Sequence, residues 1–344
     1  MTQVISRVLI AICLSAVCWL ICTAQSKPRA TDRAGKVNEV ISWLPADTET
    51  IFVASTQFVM PPFKQPETER GSEPSLQELL RPLDRFETKK GLLQNYLKGE
   101  RIELTVEGSR HFSPPVGSFG AMPYEGCEIA VLAKATSGRE TSFMKAAGSA
   151  ALRTDGIAGQ NVVVFREKID DETWTTFVSF PRPDLVLACT NRDYLTEVLH
   201  RIGGKGGIRA LPDTLAEWKF VNTNASCWGL RHYDKTQAER DPTSPFRDFN
   251  IIKLADKNAI GIVFAVDSEK RNVLRLFYFS GTKDLLGFLQ KETFLLLGDG
   301  AELPIRYRLA APGVAEIEYE LGNEIPTSYF VFMLLGAFGH ALYL

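Results

Sequence analysis

The chain has 344 residues, of which 45% are hydrophobic and 23% are charged, and these proportions are typical of a folded globular protein. Its 39 lysines and arginines nearly balance its 41 aspartates and glutamates. This balance excludes the strongly basic composition of a nucleic-acid-binding domain, so we expect no nucleic acid partner.

An uncharged and mostly apolar run of 17 residues, 8–24, follows Arg7 near the N-terminus. Cys22 and Ala24 are small residues at the positions that precede a cleavage site after Ala24, which is the layout of a secretory signal peptide. An uncleaved anchor is the alternative, since 17 helical residues span about 26 Å and a hydrocarbon core is about 30 Å thick. The sequence therefore predicts an exported protein, periplasmic or secreted, in which residues 1–24 are a signal peptide or a membrane anchor.

A short phrase, Leu44-Pro45-Ala46-Asp47-Thr48, opens the predicted folded region. Residues 25–40 before it are polar and basic and are predicted to form a tether, and residues 51–54 after it form a short buried strand. In this phrase the chain resembles exported bacterial proteins of uncharacterised function whose mature region opens in the same way. The resemblance implies a cell-envelope protein without an assigned activity.

Residues 111–126, here called the contact loop, contain too much proline and glycine for a regular helix or strand. The loop carries four large apolar side chains, those of Phe112, Phe119, Met122 and Tyr124. If they are exposed, the loop is a candidate contact site for a protein partner. The alternative is a lid laid over the sheet, which the burial of such side chains favours.

A strand, a turn, a second strand and a helix occupy residues 173–202, and the same order returns at residues 259–290. Asn191 and Thr282 match at the start of the two helices, at an offset of 91 residues, and both residue types favour the N-cap position. Because most connections are hairpins, we predict an α+β fold with a mostly antiparallel sheet. In this prediction two related strand–strand–helix halves form the sheet and the helices pack on one side.

The glycine-rich run 203–207 is the predicted boundary between a first half, 41–207, and a second half, 208–344. The last 17 residues, 328–344, have no formal charge and are predicted to form a core helix or a membrane-seated tail. Membrane association is therefore expected to involve residues 8–24 and 328–344, if it occurs.

The last predicted hairpin places arginines on one strand and glutamates on the other. Arg306 and Arg308 alternate with apolar residues, and so do Glu316, Glu318 and Glu320. We predict one apolar face and one solvated face on which arginines lie opposite glutamates.

Removal of the signal peptide leaves three cysteines, Cys127, Cys189 and Cys227. In an oxidising compartment they allow one disulfide, and the sequence does not choose among the three pairings. Cys127 and Cys189 border apolar strands and are interpreted as small core residues.

Two candidate catalytic arrangements include Cys227 or its neighbours. Ser226-Cys227-Trp228 resembles the nucleophile segment of papain-like cysteine proteases, and Gly339-His340-Ala341 resembles their histidine phrase. The chain ends four residues after His340, which leaves no room for the orienting asparagine of that family. His232 and Asp234 form the other arrangement, because positions i and i+2 of a strand share a face and allow a His–Asp dyad.

No histidine spacing typical of a zinc site occurs, so no metal or cofactor is predicted. The sequence favours an exported, non-catalytic protein that binds or scaffolds a component of the cell envelope. The alternatives are an exported hydrolase with a non-local active site, for which Cys227, His232 and Asp234 are the candidates, and a membrane-anchored envelope component.

Overall fold

The computed structural model describes residues 30–55, 63–64, 96–97, 100–110, 125–148, 153–169, 172–225, 227–233, 260–267, 273–279, 284–287, 290, 305–320 and 325–326. Its helices are α1 (Ala30–Ser42), α2 (Arg139–Ala147), α3 (Arg192–Ile202) and the 3-10 helix Ala216–Phe220. Its strands are β1 (Thr50–Ser55), β2 (Phe63–Lys64), β3 (Ile102–Arg110), β4 (Glu125–Leu132), β5 (Arg153–Ile157), β6 (Gln160–Ile169), β7 (Glu172–Ser179), β8 (Leu185–Cys189), β9 (Cys227–Tyr233), β10 (Ile260–Asp267), β11 (Val273–Phe279), β12 (Ile305–Ala311), β13 (Val314–Glu320) and β14 (Ile325–Pro326).

Twelve of these strands form one antiparallel sheet in the order β12-β13-β11-β10-β9-β1-β3-β4-β8-β7-β6-β5, and β2 pairs in parallel with β14. The mostly antiparallel α+β architecture is thereby confirmed. Strand β1 lies between β9 and β3 and pairs with both. Strands on either side of the glycine run 203–207 therefore belong to one continuous sheet.

Helices cover both faces of the sheet, so the prediction that they pack on one side is wrong. On the first face, Ile129 of β4 belongs to a core cluster that includes residues of α1 and α3. On the second face, Ala130 of β4 packs in a cluster with Phe143 of α2. The reason is that β4, β6 and β8 are apolar at successive positions, so each has side chains to bury on both sides.

The prediction that residues 25–40 form a tether is wrong from Ala30 onward. These residues form most of α1, and the helix buries Val37 and Val40 in the core, because its apolar residues recur on one face.

The Leu44–Thr48 phrase links α1 and β1 to the rest of the core. Leu44 is fully buried, and a Cβ atom added to Gly108 would lie 2.8 Å from its methyl groups. The hydroxyl groups of Thr48 and Tyr194 are 2.8 Å apart, which joins the phrase to α3. The phrase thus has a structural role that its sequence alone did not disclose.

The helices that end the two repeated units each begin with a side chain that accepts a backbone N–H, and the second of them is described at residues 285–287. Oδ1 of Asn191 accepts from Asp193 and Tyr194 at 2.8 and 2.9 Å, which confirms the predicted cap. Oδ1 of Asp284 accepts from Gly287 at 3.1 Å, whereas Thr282, the predicted cap, lies outside the described residues.

Cys127 and Cys189 are direct partners on β4 and β8 and form a disulfide. Both are buried, as predicted, but the interpretation as simple core residues missed the bond between them. Cys227 is a free, buried cysteine on β9.

None of the helices in the described part of the chain is long and apolar enough to cross a membrane. The segments 8–24 and 328–344 lie outside the described residues.

Candidate functional site

His232 and Glu217 form the clearest pairing of an imidazole with a carboxylate. His232 lies near the end of β9, on the first face with Trp228 and Leu230. Its Nδ1 atom is 2.6 Å from Oε1 of Glu217, which belongs to the 3-10 helix. Because the backbone N–H of His232 also donates to the carbonyl of Glu49 at 2.9 Å, the strand position of the imidazole is fixed.

Aromatic packing holds the 3-10 helix against the sheet and so places Glu217. The rings of Trp218 and Trp228 meet edge to face with centroids 5.9 Å apart. Phe220 contacts the rings of Phe277 and Phe279 at 5.4 and 5.3 Å. The helix is therefore anchored by Trp218 and Phe220, while the carboxylate of Glu217, the residue before Trp218, reaches His232 of β9.

The electrostatics of this pair favour an ionised carboxylate. Burial, the largest influence, raises the pKa of Glu217, but the hydrogen bond with His232 and the charge of that imidazole lower it, and the net pKa lies below its ordinary value. An ionised Glu217 accepts a hydrogen bond, so Nδ1 of His232 carries the proton. Nε2 is then the nitrogen that can exchange a proton with another group, as in catalytic triads, where the acid also holds Nδ1.

The structure does not bring Cys227 to this pair. Residues 227 and 232 differ by an odd number along β9, so their side chains project from opposite faces of the sheet. Cys227 is fully buried, and burial raises the pKa of its thiol well above the ordinary value. A protonated and inaccessible thiol is a poor nucleophile.

Asp234 and His340 lie outside the described residues, and the acid that contacts His232 is Glu217. Sequence reasoning missed Glu217 because it lies 15 residues from His232, beyond any short motif. One signal was available, since Glu217 interrupts the apolar run Leu215, Trp218 and Phe220. An acidic residue among aromatic residues indicates a buried and partnered carboxylate.

A second polar group, on the other face, was also missed. Glu107 and Glu128 are direct partners across β3 and β4, and both are almost completely buried. Arg231 is buried on β9, where burial lowers its pKa and the negative charge of Glu49 opposes that shift. Burial of polar side chains costs stability, so these residues show that this face of the sheet is built on more than apolar packing.

Arg110 joins the two ends of the contact loop. It is the last residue of β3, and its Nη1 lies 2.7 Å from both carboxylate oxygens of Asp47. Its Nε donates to Glu125, the first residue of β4, at 3.0 Å. Burial, the largest influence, lowers the pKa of Arg110, but these two carboxylates more than offset it, and the net pKa is raised. The four apolar side chains of the loop, Phe112, Phe119, Met122 and Tyr124, lie outside the described residues.

Within the described ranges, no three side chains of histidine, cysteine, aspartate or glutamate are grouped so that they could hold a metal ion. No protein-family model matches the chain, and no curated protein or solved structure matches it.

Proposed function

We propose that this chain is an exported, non-catalytic protein that binds or scaffolds a component of the cell envelope. The observation that carries the proposal is the ion-pair network of Asp47, Arg110 and Glu125. It ties together the residues on either side of the predicted contact loop, whose sequence is rich in aromatic residues, and loops on a rigid base are common binding elements.

Two features support export. The run 8–24 has the layout of a signal peptide. The disulfide between Cys127 and Cys189 is of the kind that forms and persists in oxidising compartments. A non-catalytic role is supported by the projection of Cys227 and His232 from opposite faces of β9, which separates two of the three candidate catalytic groups.

The test is photo-crosslinking of the full chain in bacterial cells, with a benzophenone amino acid at Phe119. A matched probe replaces Ile208, which is 75% exposed and lies outside the contact loop. We expect a discrete envelope cross-link from position 119, and its loss when Arg110→Ala loosens the loop base. Identical products from both positions, or retention in the cytoplasm with reduced cysteines, would refute the proposal.

We also propose that the sheet was built from two related halves. The hairpin pairs Val178–Ala188 and Ala265–Arg275 match at an offset of 87 residues. The capping residues Asn191 and Asp284 match at an offset of 93 residues, so the link from hairpin to helix is longer in the second unit. The check is an NMR measurement of backbone shifts, which should show a helix that begins after Asp284. Extended shifts there would contradict a repeated unit.

A hydrolase is the second candidate function, and the 2.6 Å contact between His232 and Glu217 favours it. Such a dyad acts as a general base on water or on a hydroxyl group. The test is turnover of an ester and peptide panel by the full chain, its His232→Asn variant and its Glu217→Gln variant. Turnover that falls by about 10²-fold or more in His232→Asn would establish the enzyme and overturn the non-catalytic proposal.

The third candidate, a membrane-anchored envelope component, is tested by deletion of residues 328–344 and by fractionation of the cells. Release of the truncated chain from membranes would support it.

A further inference from the structure

Strand β12 is one end of the twelve-stranded sheet, and none of the described strands pairs with its outer side. An edge strand directs alternate backbone N–H and C=O groups outward, where another extended chain can pair with them. The side chains of Arg306 and Arg308 are 66% and 68% exposed, and Leu309 is 61% exposed. The described strands therefore leave the outer side of β12 open, and the side chains beside it are accessible to a partner.

The charges across this end of the sheet alternate from strand to strand. Arg275 of β11 contacts Glu318 of β13 at 3.0 Å, and Glu318 lies 3.6 Å from Arg306 of β12. In the next row, Glu316 accepts from Arg308 at 2.5 Å. The order is arginine, glutamate, arginine in the first row and phenylalanine, glutamate, arginine in the second, so a further strand that continues the charge alternation would carry carboxylates beside β12.

The other face of the same strand is apolar. Tyr307 and Leu309 project to the side opposite Arg306 and Arg308, because successive residues of a strand alternate. Among the strand residues whose burial the structure describes, Leu309 is the most exposed large apolar residue. An added strand would thus meet arginines on one face and Leu309 on the other.

We propose that the outer edge of β12 binds an extended peptide in which acidic and apolar residues alternate. The peptide adds a thirteenth strand, with its carboxylates on Arg306 and Arg308 and its apolar side chains beside Leu309. This inference rests on the proposed binding function and adds a surface and a partner chemistry to it.

A second copy of the chain is a poor occupant of this edge. Antiparallel pairing of two β12 strands through a two-fold axis at Tyr307 sets Arg306 of each copy opposite Arg308 of the other. Like charges directly opposite each other destabilise a sheet. The arginines therefore select against self-pairing and for an acidic strand.

The test titrates the purified full chain with a dye-labelled heptapeptide of alternating glutamate and valine and follows fluorescence anisotropy at low salt. Two control peptides are used, one of alternating lysine and valine and one with the same composition in blocks. The double variant R306E/R308E reverses the charges on β12. Its matched control, R101E/R166E, reverses two exposed arginines elsewhere.

We expect saturable binding of the alternating acidic peptide and slower hydrogen exchange of amides in residues 305–311. R306E/R308E should weaken binding at least about tenfold, which corresponds to about 1.4 kcal/mol, while R101E/R166E stays within about twofold. Absence of binding, equal binding of the control peptides, or self-association through β12 in sedimentation would each overturn the inference. Because the cross-links of the contact loop are independent of β12, such a result would leave the proposed function standing.

Discussion

Loss of the Cys127–Cys189 disulfide should destabilise the chain by an amount that follows from its position. The two cysteines are 62 residues apart and join β4 to β8 inside the core of the first face. Cross-linking the unfolded chain over that distance removes loop entropy equivalent to about 4 kcal/mol at 25 °C. The bond lies between strands that already pair, so it adds no new ordering cost to the folded state.

The measurement is urea unfolding of the full chain with and without a reductant, followed by tryptophan fluorescence. With a slope of about 3 kcal/mol/M, reduction should lower the midpoint by about 1 M. The variant Cys127→Ala/Cys189→Ala should start at the lower midpoint and be insensitive to reductant. Cys227→Ala should keep the full sensitivity, since that thiol is free.

One result would refute this reasoning. If mass spectrometry shows the bond intact in the oxidised protein and yet both forms unfold at the same midpoint, the disulfide does not constrain the unfolded chain. A disulfide that joins Cys227 to either partner would contradict the pairing itself.

Three further outcomes are expected. Gly108→Ala should lower the free energy of unfolding by about 1–3 kcal/mol, because the added Cβ would lie 2.7 Å from the hydroxyl of Tyr194. Gly35→Ala is the control and should not lower it, because the space around Gly35 is open. Denaturant unfolding measures both variants. Arg139→Met should lower the free energy of unfolding by about 3 kcal/mol in the same assay. The reason is that the buried guanidinium of Arg139 donates to the carbonyls of residues 134 and 183 and pairs with Glu100 at 2.8 Å. Since the pKa of Glu217 is lowered in the fold, its contribution to stability is present above its ordinary pKa of 4.5 and is lost as the pH falls through the folded value. In Glu217→Gln the free energy of unfolding should therefore fall less steeply as the pH is lowered. An unchanged dependence on acidic pH would contradict the pairing with His232.

Local patterns in the sequence predicted the parts of the fold that depend on neighbouring residues. The alternation in the last hairpin predicted that its arginines lie opposite its glutamates, and Arg306 and Arg308 indeed lie opposite Glu318 and Glu316. The cap at Asn191 was equally local. One detail differs, because Glu316 is buried beneath its arginines instead of lying in water.

Contacts between distant residues were not predictable in this way. The disulfide depends on β4 and β8 becoming neighbours, which only the full order of strands decides. Glu217 reaches His232 because Trp218 and Trp228 pack together, and no spacing rule encodes that contact. The placement of α2 on the second face depends on Phe143 finding Val163 and Val178, residues of strands that follow it.

The position of β1 in the sheet means that the sheet cannot be completed before the second half of the chain has been synthesised. Thr50, the first residue of β1, pairs with Arg231 of β9. One flank of β1, its edge toward β9, therefore stays unpaired until β9 has been synthesised. A chain that stops at the glycine run would present that flank, with Ile51 and Val53 alongside, as a template for other extended chains. Fragments that end there should therefore aggregate, and the growing chain has to be shielded until its second half has been made.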